Sequence, residues 1–196
     1  MAANGKDNST DNGFPGIRWS QTASYGYVPN PAMQKVFMAV AMDLGDPGSL
    51  LTVHPRDKQD VGMRLALAGR VIAYGDRAVY YTGPLVQTAT LQRNAGSASV
   101  QSVSVTFGHV SEGLEKLRSP YGFEIGCTSV GNTTTYIEGT ATSIQGDNVM
   151  IEFPLCASGS TAKMIRYGWR DDPCVFKQCA IYSGGLPSPP FIMELA

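Results

Sequence analysis

The chain opens on a polar stretch, MAANGKDNSTDNG, in which no apolar position recurs. Ile17-Arg18-Trp19-Ser20-Gln21 then reads as a short strand, followed by a loop carrying Gly26, Pro29 and Pro31. The run Val36 to Met42 is apolar at successive positions, the pattern of a strand buried on both faces inside a parallel sheet. Such a strand expects sheet neighbours, and one short preceding strand cannot supply them. Asp43 follows at its end, and Gly45, Pro47 and Gly48 mark turns. A helix is predicted from Pro55, a residue suited to the first helical position. Val61, Leu65, Ala68 and Ile72 form its buried face and Gly75 its stop.

Near Tyr80 the pattern changes. Short β-rich runs now alternate with Gly, Ser, Asn and Pro, and the clearest strands are Val100 to Phe107, Gly122 to Cys127, Asn148 to Phe153 and Met164 to Trp169. Gln101, Val103 and Val105, or their neighbours, alternate as half-buried strands do. Asp147-Asn148 after Gly146 reads as a hairpin turn, and the regular spacing of the strands argues for a β-sandwich. The stretch from Gly184 to Phe191 is too proline-rich for a strand and is expected to cross the surface, packing through Leu186 and Phe191. No internal repeat is evident.

Composition narrows the function classes. Hydrophobic residues make up 43% and charged residues 16% of 196 residues, so the chain is globular. Lys plus Arg at 15 against Asp plus Glu at 16 leaves no electrostatic footprint for nucleic acid or an anionic membrane. No apolar run approaches the roughly 20 residues that span a bilayer. Two triplets, Asn8-Ser9-Thr10 and Asn132-Thr133-Thr134, fit the N-glycosylation pattern. With an even number of cysteines they point to an oxidising compartment, whereas the polar start lacks the order of a secretory signal. Cys174 and Cys179 suit a small loop staple, with Cys127 and Cys156 left to pair or stay free. Zinc needs closely spaced Cys or His pairs, and His54 and His109 stand apart from any, so no metal is expected.

The candidate for chemistry is His54, on a loop between the apolar run and the helix. Groups at such positions in open α/β folds are accessible and fixed, and a histidine there can take a proton from a hydroxyl near neutral pH. The alternative is a histidine that caps the first turn of the helix. Asp43 and Asp46 are the nearest carboxylates that could orient the ring, and Leu51, not a carboxylate, stands three residues before it. No serine sits on a strand-to-helix turn. Ser49 reads as a turn residue, and Gly126-Cys127-Thr128-Ser129 and Ser158-Gly159-Ser160 have no base nearby in sequence. Arg18, Trp19 and Gln21 could line a sugar pocket, although packing accounts for them as well; His109 reads as a solvated loop residue.

The string His54-Pro55-Arg56-Asp57-Lys58-Gln59, the helix after it and the preceding Phe37 to Leu44 resemble the sialate O-acetylesterase family. So do Ile17-Arg18-Trp19 with Gln21-Thr22, Tyr25 to Pro31, Arg166-Tyr167 with Trp169, Pro173-Cys174, Lys177-Gln178-Cys179, and Leu186-Pro187 with Pro189-Pro190-Phe191. The resemblance implies an α/β plus all-β fold: residues 1–79 as the C-terminal remnant of an SGNH-type α/β esterase domain, with a polar lead-in to about residue 13, and residues 80–196 as a β-sandwich-like region. It implies a serine esterase that removes O-acetyl groups from sialic acids, with an O-acetylated sialic acid or sialoglycan as substrate and no cofactor. His54 matches the family's catalytic histidine. The family's serine lies upstream, in a segment this chain does not contain, so that segment of the same protein is expected to complete the site. Lysosomal or secreted localisation is implied; without a signal in this chain a cytosolic fragment is the alternative. A catalytically inactive fragment and a carbohydrate-binding β-sandwich, with Trp169 and the tyrosines as stacking faces, are the competing readings.

Overall fold

The computed structural model describes residues 13–49, 54–92 and 99–196. The Asn8 triplet, most of the polar lead-in and Leu51 lie outside the described residues. The first element is a helix, α1 (Phe14–Ser20), where the pattern predicts a strand. Its start is coded locally: Gly13 takes φ 89°, and Pro15 occupies the first turn, where its missing N–H removes no hydrogen bond. Tertiary contacts then fix it. The Arg18 guanidinium enters the protein and donates to the carbonyls of Gly168, Arg170 and Asp171, and Trp19 meets Trp169 edge-on at 5.8 Å.

The run Val36 to Met42 is not a sheet strand among the described residues. Its apolar character serves a different burial. Val40 and Met42 join the core beneath the β-sheet, while the Val40 carbonyl accepts from Arg64. The predicted helix is present as α2 (Lys58–Tyr74), three residues later than Pro55, because Asp57 is its N-cap and accepts from the Asp60 N–H at 3.1 Å. Gly75 stops it in the left-handed conformation, as predicted. Its most buried residues are Arg64 and Ala68, and Leu65 is 39% exposed. The buried stripe is therefore rotated from the predicted one, because Arg64 turns inward to a buried carboxylate.

Among the described residues nine strands follow: β1 (Leu85–Gln92), β2 (Val100–Gly108), β3 (Phe123–Ser129), β4 (Thr134–Gln145), β5 (Asn148–Pro154), β6 (Ser160–Tyr167), β7 (Tyr182–Ser183), β8 (Leu186–Pro187) and β9 (Phe191–Glu194). Seven form one antiparallel sheet in the order β1-β2-β5-β4-β3-β6-β9, and β7 pairs with β8. Every strand ladder among the described residues is antiparallel. The described residues are thus mostly β with two helices. The expected sandwich takes the form of a single sheet that folds over itself. β4 is the strand at which it turns: its first half, to Gly139, pairs with β3 and its second half, from Thr140, with β5. A Cβ at Gly139 would lie 2.9 Å from Ile151 Cγ2, so glycine is what fits at that crossing. The sheet nearly closes, since Leu91 N–H donates to the Ala196 carbonyl at 3.0 Å and Ala196 N–H to the Ala89 carbonyl at 2.9 Å.

The inside of this fold is filled by alternate residues. Val103, Val105 and Phe107 of β2 oppose Ile151, Val149 and the β4–β5 turn, and all five side chains are buried. Ile125, Ile165, Tyr167 and Phe191 complete the core from the other half of the sheet. A hairpin turn lies between β4 and β5 where one is predicted, one residue earlier than read: Gly146-Asp147 make it, and Asn148 opens β5. The last stretch differs from expectation. Leu186 and Phe191 are buried, as predicted, yet the segment from Leu186 to Phe191 is buried as well, and it supplies β8 and the start of β9. Short two-residue pairing and an edge position are where prolines are tolerated in sheets.

All four cysteines are bonded. Cys127 joins Cys156 across 5.6 Å between Cα atoms, and Cys174 joins Cys179 across 4.9 Å. Asn132 occupies the exposed turn between β3 and β4. Gly26 ties the segment after α1 to the end of the chain: it takes φ 81°, and an added Cβ would meet the Pro190 carbonyl. Gly26→Ala is expected to cost roughly 2–4 kcal/mol from left-handed strain plus overpacking, read as a lower denaturant midpoint with unchanged slope.

Candidate functional site

His54 lies in a loop that is held at both ends. Ahead of it, Asp46 accepts from Arg56 Nε at 2.8 Å, from Arg56 Nη2 at 3.0 Å and from the Arg56 backbone N–H at 3.1 Å. This clasp closes the segment 46–56 around the histidine. Residues 50–53 within it lie outside the described residues. Pro55 is buried and anchors the loop beside the histidine, while His54 itself is exposed. Among the described residues the imidazole has no hydrogen-bond partner. The capping role belongs to Asp57, so the cap reading of His54 fails on geometry.

The guanidinium of Arg56 holds the Asp46 carboxyl at about 2, below its ordinary value of 3.8. A depressed carboxylate stabilises the fold above the unfolded pKa and loses that contribution as pH falls through the folded value. The clasp is therefore expected to stay closed at pH 5 and open as pH approaches 2. An NMR titration following the Arg56 side-chain resonances checks this; opening between pH 5 and 4 would contradict it.

Behind the histidine, the loop closed by Cys174 and Cys179 grips both ends of the segment. Lys177 Nζ lies 2.7 Å from Asp60 and 3.2 Å from Asp57 in the first turn of α2, and these hydrogen bonds raise the ammonium pKa. The Lys177 backbone N–H donates to the Asp43 carbonyl at 2.8 Å. Arg118 donates to the Lys177 carbonyl at 3.1 Å. One six-residue staple, Cys174 to Cys179, thus braces the chain before and after His54.

Asp43 and Asp46, the two carboxylates read as candidate orienters, are committed elsewhere. Asp43 is fully buried and accepts from Arg64 Nη1 at 2.6 Å, Arg64 Nη2 at 2.9 Å and Tyr182 Oη at 2.9 Å. Burial and this adjacent carboxylate push the Tyr182 hydroxyl pKa far above its ordinary value. Arg118 stacks over the Tyr182 ring at 3.6 Å. The triad Asp43–Arg64–Tyr182 locks α2 to the β-rich part of the protein. Neither aspartate hydrogen-bonds to His54 among the described residues.

The other sequence candidates separate clearly. Ser49 donates its backbone N–H to the Asp46 carbonyl at 3.0 Å, as a turn residue does. Cys127 is bonded, and Ser129 lies in β3. Arg18 and Trp19 pack, as described, and Gln21 is exposed. His109 is exposed but not simply solvated. It takes φ 57° and meets Tyr80 and Tyr81 edge-on at 5.5 Å and 5.4 Å, and the desolvation of its ring lowers its pKa. Sequence reasoning missed Arg56, Arg64 and Lys177 as positioning groups. Lys177 is far from α2 in sequence, and no spacing pattern signals a contact of that kind.

Beside the clasped loop opens a cleft of about 600 Å³. Gly45 and Pro47 of the loop form one wall, Val175 and Phe176 of the stapled loop another, and the start of β3 the floor.

Comparison with known proteins bears on this arrangement. Residues 93–195 match the family model described as the sialate O-acetylesterase C-terminal domain. The chain is 37% identical over 195 residues to the sialate O-acetylesterase of Mus musculus, an alignment that takes in 96% of this chain and 34% of that protein. It is 38% identical over 187 residues to the sialate O-acetylesterase of Homo sapiens, over 94% of this chain and 34% of that protein. The chain thus spans about a third of the length of these relatives. A carbohydrate acetylesterase from Xanthomonas citri superposes with a TM-score of 0.65 at 26% identity, covering 95% of this chain and 38% of that one.

Proposed function

The chain belongs to the sialate O-acetylesterase family, matching the family's C-terminal domain, and on that premise we propose that it forms part of an esterase removing O-acetyl groups from sialic acids. In this reading the present chain supplies the histidine, and an upstream segment of the same protein supplies the serine. Residues up to about 79 are the C-terminal part of an SGNH-type α/β domain, and residues 80–196 its β-rich companion. The observation that carries the reading is the exposed His54 imidazole, without a hydrogen-bond partner among the described residues, on a loop clasped before and behind it. The substrate is an O-acetylated sialic acid or sialoglycan. Two disulfides and an exposed Asn132 turn fit the lysosomal or secreted setting.

The chemistry is acyl transfer in two steps. The serine oxygen adds to the acetyl carbonyl while His54 accepts the hydroxyl proton. Collapse of the tetrahedral intermediate breaks the bond to the sugar oxygen, which takes that proton from the imidazolium and leaves an acetyl-serine. Water then adds to the acetyl carbonyl, His54 accepts its proton, and the proton passes to the serine oxygen as acetate departs. Asp43 and Asp46 are held by Arg64 and Arg56, so another group is expected to orient the ring.

A serine-reactive fluorophosphonate applied to the protein completed by its upstream segment tests the division of labour. Peptide mapping is expected to find the label upstream of the present chain. A label on Ser49, Ser129 or any other serine of these 196 residues would overturn it.

A further inference from the structure

We infer that the cleft beside the clasped loop binds a neutral, hydroxyl-rich sugar residue, the neighbour in the glycan of the acetylated sugar rather than the acetylated sugar itself. Only the place of that residue in the substrate rests on the esterase reading; the site is argued from its own chemistry. The volume, about 600 Å³, falls within the roughly 300–1,000 Å³ of small-ligand sites. Two aromatic side chains lining it are unusually open to solvent, Tyr121 at 58% and Phe176 at 44%. Lys177 Nζ lies 5.0 Å from the Phe176 ring centroid, yet both rings stay largely exposed; exposed aromatic faces suit the C–H faces of a pyranose, which are apolar, while the hydroxyls at the ring edge need polar partners.

Those partners are present. Glu138, Arg170 and Asp172 line the same cleft. Arg170 makes one side-chain contact among the described residues, from Nη2 to Glu138 at 3.3 Å, leaving most of its five donors for a ligand. Asp172 Oδ1 is buried without a hydrogen-bond partner among the described residues, and a buried acceptor left so is costly unless something supplies a donor. A sugar hydroxyl is such a donor. Paired carboxylates and a guanidinium around aromatic faces recognise hydroxyls by accepting and donating at once.

Charge decides which sugar. Glu138 and Asp172 carry two negative charges against one positive from Arg170; the buried Arg18 guanidinium also attracts Asp172, but Asp171 beside it offsets that charge. The remaining carboxylate at the cleft, Glu124, is neutralised by Arg166 at 2.9 Å and 3.3 Å. The cleft is therefore one charge negative, and an anionic sugar such as a sialic acid would meet like charge. A neutral hexose would not. Gly45 and Pro47, which form one wall, belong to the loop that leads to His54. A sugar held there sits against that loop.

The test uses the present chain with lactose as a neutral disaccharide and free N-acetylneuraminic acid as the anionic one, following backbone amide shifts in solution. Lactose is expected to perturb the amides of Tyr121, Gly122 and Val175 saturably, and the free sialic acid to leave them unmoved. Tyr121→Ala and Glu138→Ala change exposed positions and are each expected to weaken lactose about tenfold, with the remaining amide spectrum intact as the check on folding. The proposal is overturned by lactose leaving these amides unmoved, by unchanged affinity in both variants, or by the sialic acid binding the cleft more tightly than lactose. Because the readout is binding, its failure leaves hydrolysis through His54 untouched; loss of the esterase reading with lactose binding intact would leave this site standing.

Discussion

Asp43→Ala is expected to lower the unfolding free energy by roughly 3–5 kcal/mol, the cost of leaving a buried charge without its partner. The Arg64 side chain is 4% exposed and that of Asp43 is fully buried, so water cannot replace the lost carboxylate. Arg64 Nε already has no partner among the described residues, which leaves the guanidinium dependent on Asp43 and the Val40 carbonyl. Tyr182→Phe removes a single hydrogen bond from the same cluster and leaves the ion pair whole; about 1–2 kcal/mol is expected there. Urea denaturation of both variants measures the difference. A loss below 1 kcal/mol in Asp43→Ala would mean that α2 is not held to the β-rich part through this triad.

His54→Ala carries the opposite signature. The side chain is exposed and without a hydrogen-bond partner among the described residues, so its removal is expected to shift stability by no more than about 0.5 kcal/mol. In the protein completed by its upstream segment, kcat for acetate release from an O-acetylated sialoside is expected to fall by about 10³-fold or more, the scale of losing a general base that also serves as the acid. KM should change little, since the histidine acts on protons in transfer rather than on the bound sugar. A histidine with only a structural role gives the reverse, a lost denaturant midpoint with turnover retained.

Much of the β-rich part was legible because strand burial there follows a simple period. Val103, Val105, Phe107, Val149, Ile151 and Phe153 alternate inward as a half-buried antiparallel strand requires, and the Gly146-Asp147 turn carried its own signal. β1 and β4 were missed. Both are rich in Thr, their outward faces are polar, and β4 changes partner after Gly139 and shifts register between Ala141 and Ser143, so no single alternation runs along it. The amino-terminal part misled for a different reason. Ile17 to Gln21 and Val36 to Met42 have the composition of strands, but an inward-turned Arg18 and the burial of Val40 and Met42 against the core decide their conformation. Those are contacts between residues more than a hundred positions apart, and local pattern does not contain them.

His54 stands out as a candidate from its place before a helix and from the string around it. The devices that hold it do not. Arg56 and Asp46 are close in sequence, yet nothing in their spacing distinguishes a clasp from ordinary loop charges. Lys177 reaches Asp57 and Asp60 from the far end of the chain. The Cys174–Cys179 staple that carries it was expected as a loop closure, and its further role, bracing the segment on both sides of the histidine, depends on where that loop lands.

In the proposed function this chain holds the histidine half of an esterase site whose serine half lies upstream. Acetate release from a 9-O-acetylated sialoside, measured for the present chain alone and for the same chain joined to the upstream segment, tests it most directly. Turnover is predicted only in the joined protein and is predicted to be abolished by a serine-reactive inhibitor. Inhibitor-sensitive turnover by the 196-residue chain alone would contradict it, because the nucleophile would then lie within these residues.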